Sequence, residues 1–276
     1  YGVSYNSYLI DDEMVALVDT VDICYFEVYL RKIKQVIGER PINYLIINHM
    51  EPDHSGSIRL IKQHYPGIII VGNKQTFGMI EGFYGVTGEQ YLVKEGDFLA
   101  LGHHKLRFYM TPMVHWPETM MTFDETDGVL FSGDGFGCFG TVDGGFLDTR
   151  INVDKYWGEM VRYYSNIVGK YGSPVQKALQ KLGGLPISAI CSTHGPVWTE
   201  NIAKVIGIYD RLSRYDADEG VVIAYGSMYG NTEQMAEAIA EELSAQGVKN
   251  IVMHNVTKSH PSYIIADIFR YKGLII

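Results

Sequence analysis

Four short apolar segments of this chain are each followed by side chains that bind metal ions in other proteins. The segments span residues 44–47, 106–110, 129–131 and 187–191, and the polar residues after them lie at 49–54, 115, 134 and 194. Short apolar runs between turn residues are typical of buried strands. If these strands belong to one sandwich of sheets, the polar residues gather at one edge of it. The pattern therefore predicts a layered α/β fold with a site at that edge.

The candidate ligands form a set that is too large for one four-coordinate ion. They are His49, Glu51, Asp53, His54, His115, Asp134 and His194. Such a set suits two ions that share a bridging carboxylate, at about 3.5–4 Å from each other. Nitrogen and oxygen donors fit iron, manganese or zinc, and they disfavour copper(I) and iron–sulfur clusters. Pro52 and Gly56 predict that residues 49–54 form a loop rather than the interior of a helix.

Each of these residues taken alone is equally well read as a surface or capping residue, so the prediction depends on the whole set. The remaining histidines join no such pattern, and we expect them to be structural: His64, His103, His104, His254 and His260. Trp116 follows one ligand candidate and is expected to pack beside it, with contact to a flavin of a neighbouring subunit as the alternative. Helical spacing predicts core and interface positions, rather than cofactor contacts, for a further aromatic group: Tyr156, Trp157, Tyr163 and Tyr164.

The rest of the chain divides into two parts at a polar stretch. Residues 8–18 predict a hairpin, and helices are expected at 26–37, 58–64, 154–168, 175–182 and 202–212. The charged segment 213–220 is the best candidate for a linker. After it the pattern becomes strand, helix, strand, helix, strand, which predicts a doubly wound parallel sheet. We therefore expect one domain at residues 1–218 and the beginning of another at 219–276.

A neutral, glycine-bounded loop opens this second part. It lies between the apolar run 221–225 and an amphipathic helix, and its residues are Ser227, Met228, Tyr229, Gly230, Asn231 and Thr232. Backbone N–H groups in such a turn, together with a helix N-terminus, form a cradle for phosphate. The loop has no lysine, so a nucleoside triphosphatase is not expected. A Gly-Asn turn with a threonine cap also occurs without any ligand, and this alternative stays open for the loop taken alone.

Two resemblances follow from these motifs. The pattern His-x-Glu-x-Asp-His at 49–54, with His115, Asp134 and His194 downstream, resembles the metallo-β-lactamase fold. Hydrolases of that fold usually have a second histidine where this chain has Glu51. That glutamate, and spacings of 61, 19 and 60 residues from His54 onward, are similar to those of the flavodiiron proteins (A-type flavoproteins). The loop at 227–232 similarly resembles the FMN-phosphate loop of flavodoxins.

The flavodiiron resemblance implies a fold, two cofactors and a reaction. The fold is an αββα metallo-β-lactamase-like sandwich followed by a flavodoxin-like sheet, and the cofactors are two non-haem irons and FMN. His49, Glu51 and His115 hold one iron in this family pattern, a second group of Asp53, His54 and His194 holds the other, and Asp134 bridges them. The implied reaction is reduction of O2 to water, of NO to N2O, or of both.

The same resemblance implies partners. They are an electron donor, such as rubredoxin, a reduced deazaflavin or a fused reductase module, and a second copy of the chain in a head-to-tail homodimer or a dimer of dimers. Two other functions stay open. One is a zinc-dependent hydrolase of the same fold, and the other is a flavodoxin-like electron carrier whose first domain has lost its metal.

Charge and cysteine content limit the other function classes. The chain has 23 basic and 32 acidic residues, a net charge of −9, without a cluster of Lys and Arg. Such a chain is not expected to bind nucleic acid or an anionic membrane. Its apolar runs are far shorter than the roughly 18–20 residues of a membrane span. The cysteines, Cys24, Cys138 and Cys191, predict no disulfide framework, and we expect them to be buried in a cytoplasmic protein.

The two ends of the sequence suggest that residues are missing. The chain begins at Tyr1 without an initiator methionine and ends in the strand-like segment 273–276. Flavodoxin-like sheets have five strands, whereas three are predicted here. We therefore expect the second sheet to be C-terminally truncated and to hold FMN weakly or not at all.

Overall fold

Two mixed sheets and one parallel sheet make up the α/β fold. The computed structural model describes residues 2–142 and 144–276. The first sheet contains strands at Tyr8–Ile10 (β1), Ala16–Val18 (β2), Tyr44–Ile46 (β3), Ile69–Gly72 (β4) and Gln90–Leu92 (β5). The second contains Phe98–Ala100 (β6), Lys105–Met110 (β7), Met120–Asp124 (β8), Val129–Gly133 (β9) and Ala189–Ser192 (β10). The third contains Asp218–Tyr225 (β11), Ile251–Asn255 (β12) and Tyr271–Ile275 (β13).

Helices cover the outer faces of these sheets. They span Phe26–Ile37 (α1), Pro52–Ser55 (α2), Ile58–His64 (α3), Lys74–Tyr84 (α4), Asp154–Tyr163 (α5), Gly172–Leu182 (α6), Ile202–Ser213 (α7), Asn231–Ala245 (α8) and Pro261–Arg270 (α9). A π-helical turn at Tyr164–Val168 continues α5. Among the residues that the structure describes, none of the helices has the length and apolar character that a membrane crossing requires.

The first two sheets pack face to face and form an αββα sandwich. In the first sheet β1 runs antiparallel to β2, and β2 to β5 are parallel. Alternate side chains of β3 serve the two layers, because Leu45 packs under α1, α3 and α4 while Ile46 faces the second sheet. In the same way Leu130 of β9 packs toward α5, α6 and α7, and Phe131 faces the first sheet. This period of two is what a strand buried on both faces requires.

The third sheet is parallel, with β11 in the middle, β12 on one side and β13 on the other. The chain passes from the central strand β11 to β12 on one edge, and then crosses over to β13 on the opposite edge. Right-handed crossovers then place α8 and α9 on opposite faces of the sheet. This 2-1-3 order is that of the flavodoxin-like fold. The α/β prediction, with a sandwich followed by a flavodoxin-like parallel sheet, is confirmed.

Helix α9 joins the third sheet to the sandwich. The buried guanidinium of Arg162 on α5 lies over the ring of Tyr263 at 4.8 Å and over that of Phe139 at 4.4 Å. It also donates a hydrogen bond of 3.0 Å to the hydroxyl of Ser262. Asn166 donates a second one, of 3.0 Å, to the backbone carbonyl of Ser262. The start of α9 is therefore fixed to α5 and to the π-helical turn by two hydrogen bonds and by one cation–π contact, that of Arg162 with Tyr263.

Three expectations about local structure are wrong. Residues 52–55 form a one-turn helix, because proline at the first position of a helix needs no hydrogen bond for its nitrogen. The linker is shorter than 213–220, since α7 ends at Ser213 and β11 begins at Asp218. Cys24 is exposed, because it lies in a short 3-10 turn before α1, whereas Cys138 and Cys191 are buried as expected.

A pair of identical substitutions tests the assignment of the core. Leu130→Ala removes a fully buried side chain of β9, and we expect it to lower the free energy of unfolding by about 2–5 kcal/mol. Leu92→Ala, in the edge strand β5, removes a side chain that is 51% exposed and should have a much smaller effect. Denaturant unfolding followed by circular dichroism measures both values. Equal losses for the two variants would contradict the described packing.

Candidate metal centre

The candidate ligands come from both sheets and meet where strands of the sandwich end. Residues 49–54 follow β3 of the first sheet, while Asp134 follows β9 and His194 lies two residues after β10. His115 is in the loop between β7 and β8. Strands β9 and β10 are parallel neighbours, so their carboxyl ends point to the same edge. The structure brings all seven residues of the set together there.

The first group of ligand atoms consists of His49, Glu51, His115 and Asp134, whose donors lie within 4.8 Å of one another. Nε2 of His115 lies 3.1 Å from Oε2 of Glu51 and 3.1 Å from Oδ2 of Asp134. Nε2 of His49 lies 3.3 Å from the same Glu51 oxygen and 3.8 Å from Oδ2 of Asp134. Two imidazole nitrogens and two carboxylates thus face one small volume.

The second group consists of Asp53, His54 and His194, again within 4.8 Å. The Nε2 atoms of the two histidines are 3.1 Å apart. One oxygen of Asp53 lies 3.4 Å from Nε2 of His54, and the other lies 3.4 Å from Nε2 of His194. This separation suits two ligands of one ion, and it also permits a hydrogen bond when one of the two nitrogens carries a proton.

Asp134 lies between the two groups and is nearly fully buried. Its Oδ2 atom faces His115 and His49, as given above. Its Oδ1 atom lies 2.9 Å from Nε2 of His54 and 3.6 Å from Nε2 of His194. The hydroxyl of Thr193 donates a 2.6 Å hydrogen bond to this same oxygen. Each oxygen of one carboxylate is therefore directed at a different group.

The carboxylates shift the protonation of the histidines strongly. Burial opposes the charged form of His49, but the carboxylates of Asp134, Glu118 and Glu51 outweigh it and raise its pKa to about 10. Burial is likewise outweighed at His115 and His194, whose pKa values are raised. Hydrogen bonds from His115 and His49 lower the pKa of Glu51 to about 2. The site without metal is therefore a set of carboxylates balanced by protons on imidazoles.

The donor set fits metal ions better than it fits a purely structural network. Oδ1 of Asp53 and Nδ1 of His54 are buried and have no hydrogen-bond partner among the described residues. All four histidines direct Nε2 at the carboxylates, and Nε2 of His54 and Nε2 of His194 also face each other. Buried charges of this number are retained in proteins where they are paired or coordinate metals.

Sequence reasoning did not identify the residues that support the ligands. Oε1 of Glu118 accepts a 2.9 Å hydrogen bond from Nδ1 of His49, and Nδ1 of His194 lies 2.7 Å from the carbonyl oxygen of Ser4. Oδ1 of Asp19 accepts hydrogen bonds from the backbone N–H groups of Asn48 and His49, and burial raises the pKa of Asp19 to about 6. The sequence shows a carboxylate, Glu118, three residues after the ligand candidate His115. It does not show that this carboxylate contacts His49, which is distant in sequence.

Aromatic side chains enclose the site. Trp116 packs edge-on against the ring of His49, with ring centres 5.3 Å apart. The ring of Tyr163 lies 5.6 Å from that of His194. Tyr156 and Tyr164 are buried in the core, and Trp157 stacks on Trp198 at 5.4 Å. Packing was expected for all of these residues, but the position of Tyr163 beside a ligand was not.

The remaining histidines lie apart from the two groups. Nδ1 of His104 pairs with Asp124 at 2.7 Å, with Asp127 close by. Nε2 of His254 pairs with Asp267 at 2.8 Å. The ring of His64 packs on Phe26, that of His103 on His104, and that of His260 on Tyr263. These contacts tie neighbouring elements together, and none of them involves a residue of the predicted ligand set.

The loop at 227–232 has the geometry of an open phosphate cradle. Gly230 adopts a left-handed conformation with φ of 87° and precedes the first residue of α8. The N-terminus of α8 has no side-chain cap, and the hydroxyl of Ser227 accepts the N–H of Gly230 at 3.0 Å. Met228 and Tyr229 are exposed, as are Asn231 and Thr232. The first N–H groups of α8 thus remain available to an anion.

The fold and the position of the ligand loops define a metallo-β-lactamase-like protein with a flavodoxin-like segment. Comparison with known families agrees with this class. Residues 3–195 match the family described as ODP family beta lactamase, and residues 223–275 match the flavodoxin family. The chain belongs to the flavodiiron proteins, which combine these two parts.

Relatives and solved structures extend along almost the whole chain. The chain is 33% identical to an anaerobic nitric oxide reductase flavorubredoxin of Vibrio vulnificus, over 100% of this chain and 56% of that protein. A protein of the same name from Escherichia coli is 32% identical, over 100% and 58%. The chain thus spans little more than half the length of these relatives.

Two solved structures show the same fold. The rubredoxin oxygen:oxidoreductase of Desulfovibrio gigas has a TM-score of 0.95 and 29% identity, over 99% of this chain and 69% of that one. The flavodiiron protein of Giardia intestinalis has a TM-score of 0.92 and 29% identity, over 96% and 65%. Scores this high extend over both the sandwich and the flavodoxin-like segment.

The raised pKa of His49 predicts how metal uptake depends on pH. In the metal-free chain His49 keeps its proton until the pH approaches about 10, so a metal ion must displace that proton. The apparent affinity for Zn²⁺ should therefore keep rising, by up to about tenfold per pH unit, between about pH 7 and pH 9. Competition with a chelator of known pH dependence measures it. Ordinary histidines, with a pKa of about 6.5, would instead give a plateau above about pH 7.5.

Proposed function

We propose that this chain carries the diiron site and the flavin-phosphate loop of an oxidoreductase that reduces O2 to water, NO to N2O, or both. The single observation that supports it most is the position of Asp134, with one carboxylate oxygen directed at each group of histidines. The names of the relatives, nitric oxide reductase and oxygen oxidoreductase, support the choice of gases. When bound, the two irons and FMN supply the electrons that the gas takes up.

The residues of the chain divide into three roles in this proposal. His49, Glu51 and His115 hold one iron, and Asp53, His54 and His194 hold the other. Asp134 would bridge the two irons, since one of its carboxylate oxygens faces each group of histidines. Residues 1–218 form the metal domain, and residues 219–276 form part of the FMN domain. The backbone and hydroxyl groups at 227–232 bind the phosphate of FMN.

Two rival functions have less support. A zinc hydrolase of the same fold explains neither Glu51 at a ligand position nor the phosphate loop. A metal-free electron carrier does not explain why seven donors converge in a buried site. We further propose a rubredoxin-type donor, or a reduced cofactor, as the electron source, a homodimer or dimer of dimers as the assembly, and the cytoplasm as the location. The names of the Desulfovibrio gigas protein and of the flavorubredoxins support a rubredoxin-type donor.

Metal analysis and gas consumption test the proposal directly. The full-length protein should contain two irons per chain and show flavin absorption. After chemical reduction it should consume O2, NO or both, as followed with gas electrodes. Zinc without flavin, or a reduced protein that consumes neither gas, would contradict the proposed function.

A single substitution tests the ligand assignment. His194→Ala removes one of the histidines that face Asp53 and Asp134, and we expect gas consumption to be lost while flavin stays bound. Iron content should fall because one subsite loses a neutral nitrogen donor. His64→Ala is the matched control, since His64 packs on Phe26 outside the site. Full activity of His194→Ala with unchanged iron content would show that His194 is not a ligand.

The phosphate loop is tested with two flavins that differ only in the phosphate. FMN should bind more tightly than riboflavin, since the free N–H groups at the start of α8 interact with the phosphate alone. Gly230→Val, which forces a branched residue into a left-handed conformation, should reduce this difference. Fluorescence quenching of each flavin on titration with protein gives the two affinities. The titration uses the full-length protein, and equal affinities of its wild-type form would remove the support for a phosphate site here.

A further inference from the structure

Glu118 is a buried carboxylate that contacts the metal site through a ligand. It lies in the loop after His115, its side chain is fully buried, and its Oε1 atom accepts a 2.9 Å hydrogen bond from Nδ1 of His49. The same oxygen accepts the backbone N–H of Met50 at 2.9 Å. One atom of Glu118 therefore fixes both the ring of His49 and the backbone beside it.

In the second group of ligands, neither histidine Nδ1 atom donates to a carboxylate of the described residues. Nδ1 of His194 faces the neutral carbonyl oxygen of Ser4, and Nδ1 of His54 is buried without a hydrogen-bond partner among the described residues. Glu51 and Asp53 supply one carboxylate to each group, and Asp134 is shared between them. The buried carboxylate of Asp19 lies close to both groups, so the difference between them is the hydrogen bond from His49 to Glu118.

A neutral side chain would satisfy the same two donors. An amide oxygen can accept the same N–H groups of His49 and Met50, although more weakly than a carboxylate oxygen. Yet the chain has a carboxylate here, and its Oε2 atom is buried without a partner among the described residues. Burying a carboxylate is costly unless a nearby positive charge offsets it. A divalent ion on the far side of the His49 ring supplies that positive charge.

We propose that Glu118 is a positioning residue that directs Nε2 of His49 into the site and makes the His49 subsite the tighter of the two metal subsites. The hydrogen bond fixes the ring orientation and increases the basicity of Nε2. The buried negative charge adds long-range attraction in a low-dielectric region. The proposal rests on the proposed function only in that the two groups bind divalent ions.

Stepwise loading of the metal-free chain with Co²⁺ tests the proposal. The visible absorption of bound Co²⁺, recorded with a competing chelator, should show one tight and one weak step. His49→Ala should abolish the tight step, and His54→Ala should leave a tight step in place. Loss of the tight step in His54→Ala, with its retention in His49→Ala, would overturn the assignment of the subsites.

Substitutions of Glu118 test the role of its charge. Glu118→Gln keeps the hydrogen-bond acceptor but removes the charge, and it should weaken the tight step by roughly 10–100-fold while leaving the weak step unchanged. Glu118→Asp keeps the charge and should restore part of the affinity. Glu81→Gln, on the exposed surface of α4, is the matched control and should change neither step. An unchanged tight step in Glu118→Gln would overturn the proposal.

The outcomes separate this proposal from the function on which it rests. A wild-type chain that binds no Co²⁺ would contradict the metal site and the role of Glu118 together. A wild-type chain that binds two ions with equal affinity would contradict only the role of Glu118. If Glu118→Gln does not fold, the comparison of His49→Ala with His54→Ala still decides which subsite is tighter.

Discussion

The carboxylate of Asp134, buried among four imidazoles, is the interaction on which the site depends. A carboxylate in such a position is unfavourable unless positive charge surrounds it. Here the raised pKa values of His49, His115 and His194 favour positive charge in the metal-free chain. Nearby His54 and His194 keep the pKa of Asp134 well below its ordinary value despite its burial. Without that charge the interior of the sandwich would hold several like charges that repel one another. The fold therefore requires positive charge at this position.

The strands of the sandwich fix the positions of the side chains around Asp134. Asp134 follows β9, and Thr193, whose hydroxyl holds one of its oxygens, follows the parallel strand β10. The loop after β3 brings its ligands from the other sheet, and Asp19 fixes the start of that loop through two backbone hydrogen bonds. Residues from two packed sheets converge on one carboxylate, so the ligand positions are set by rigid strands and not by the loops alone.

The sequence allowed the fold class and the clustering of the ligands to be predicted, because both follow from local patterns. Each ligand comes shortly after an apolar strand, and parallel strands end at a common edge. The helical turn at 52–55 was missed, since proline breaks a helix interior but favours a first turn. Glu118 was missed for another reason. It lies 69 residues from His49 in the sequence, and no local pattern links a buried carboxylate to a distant ring. The identity of the ions and the domain boundary stay predictions.

Helix α5 connects the two parts of the molecule more closely than their separation in sequence suggests. Two consecutive residues on it have different partners, because Arg162 contacts α9 through Ser262 and Tyr263 while Tyr163 lies beside the ligand His194. The contacts of α9 with Arg162 therefore restrain α5, the helix that lies beside the metal centre. The flavodoxin-like segment is attached at two places, by the short connection at 214–217 and by the contacts of the buried guanidinium of Arg162 with α9. The contact between the two domains is thus also part of the wall of the site.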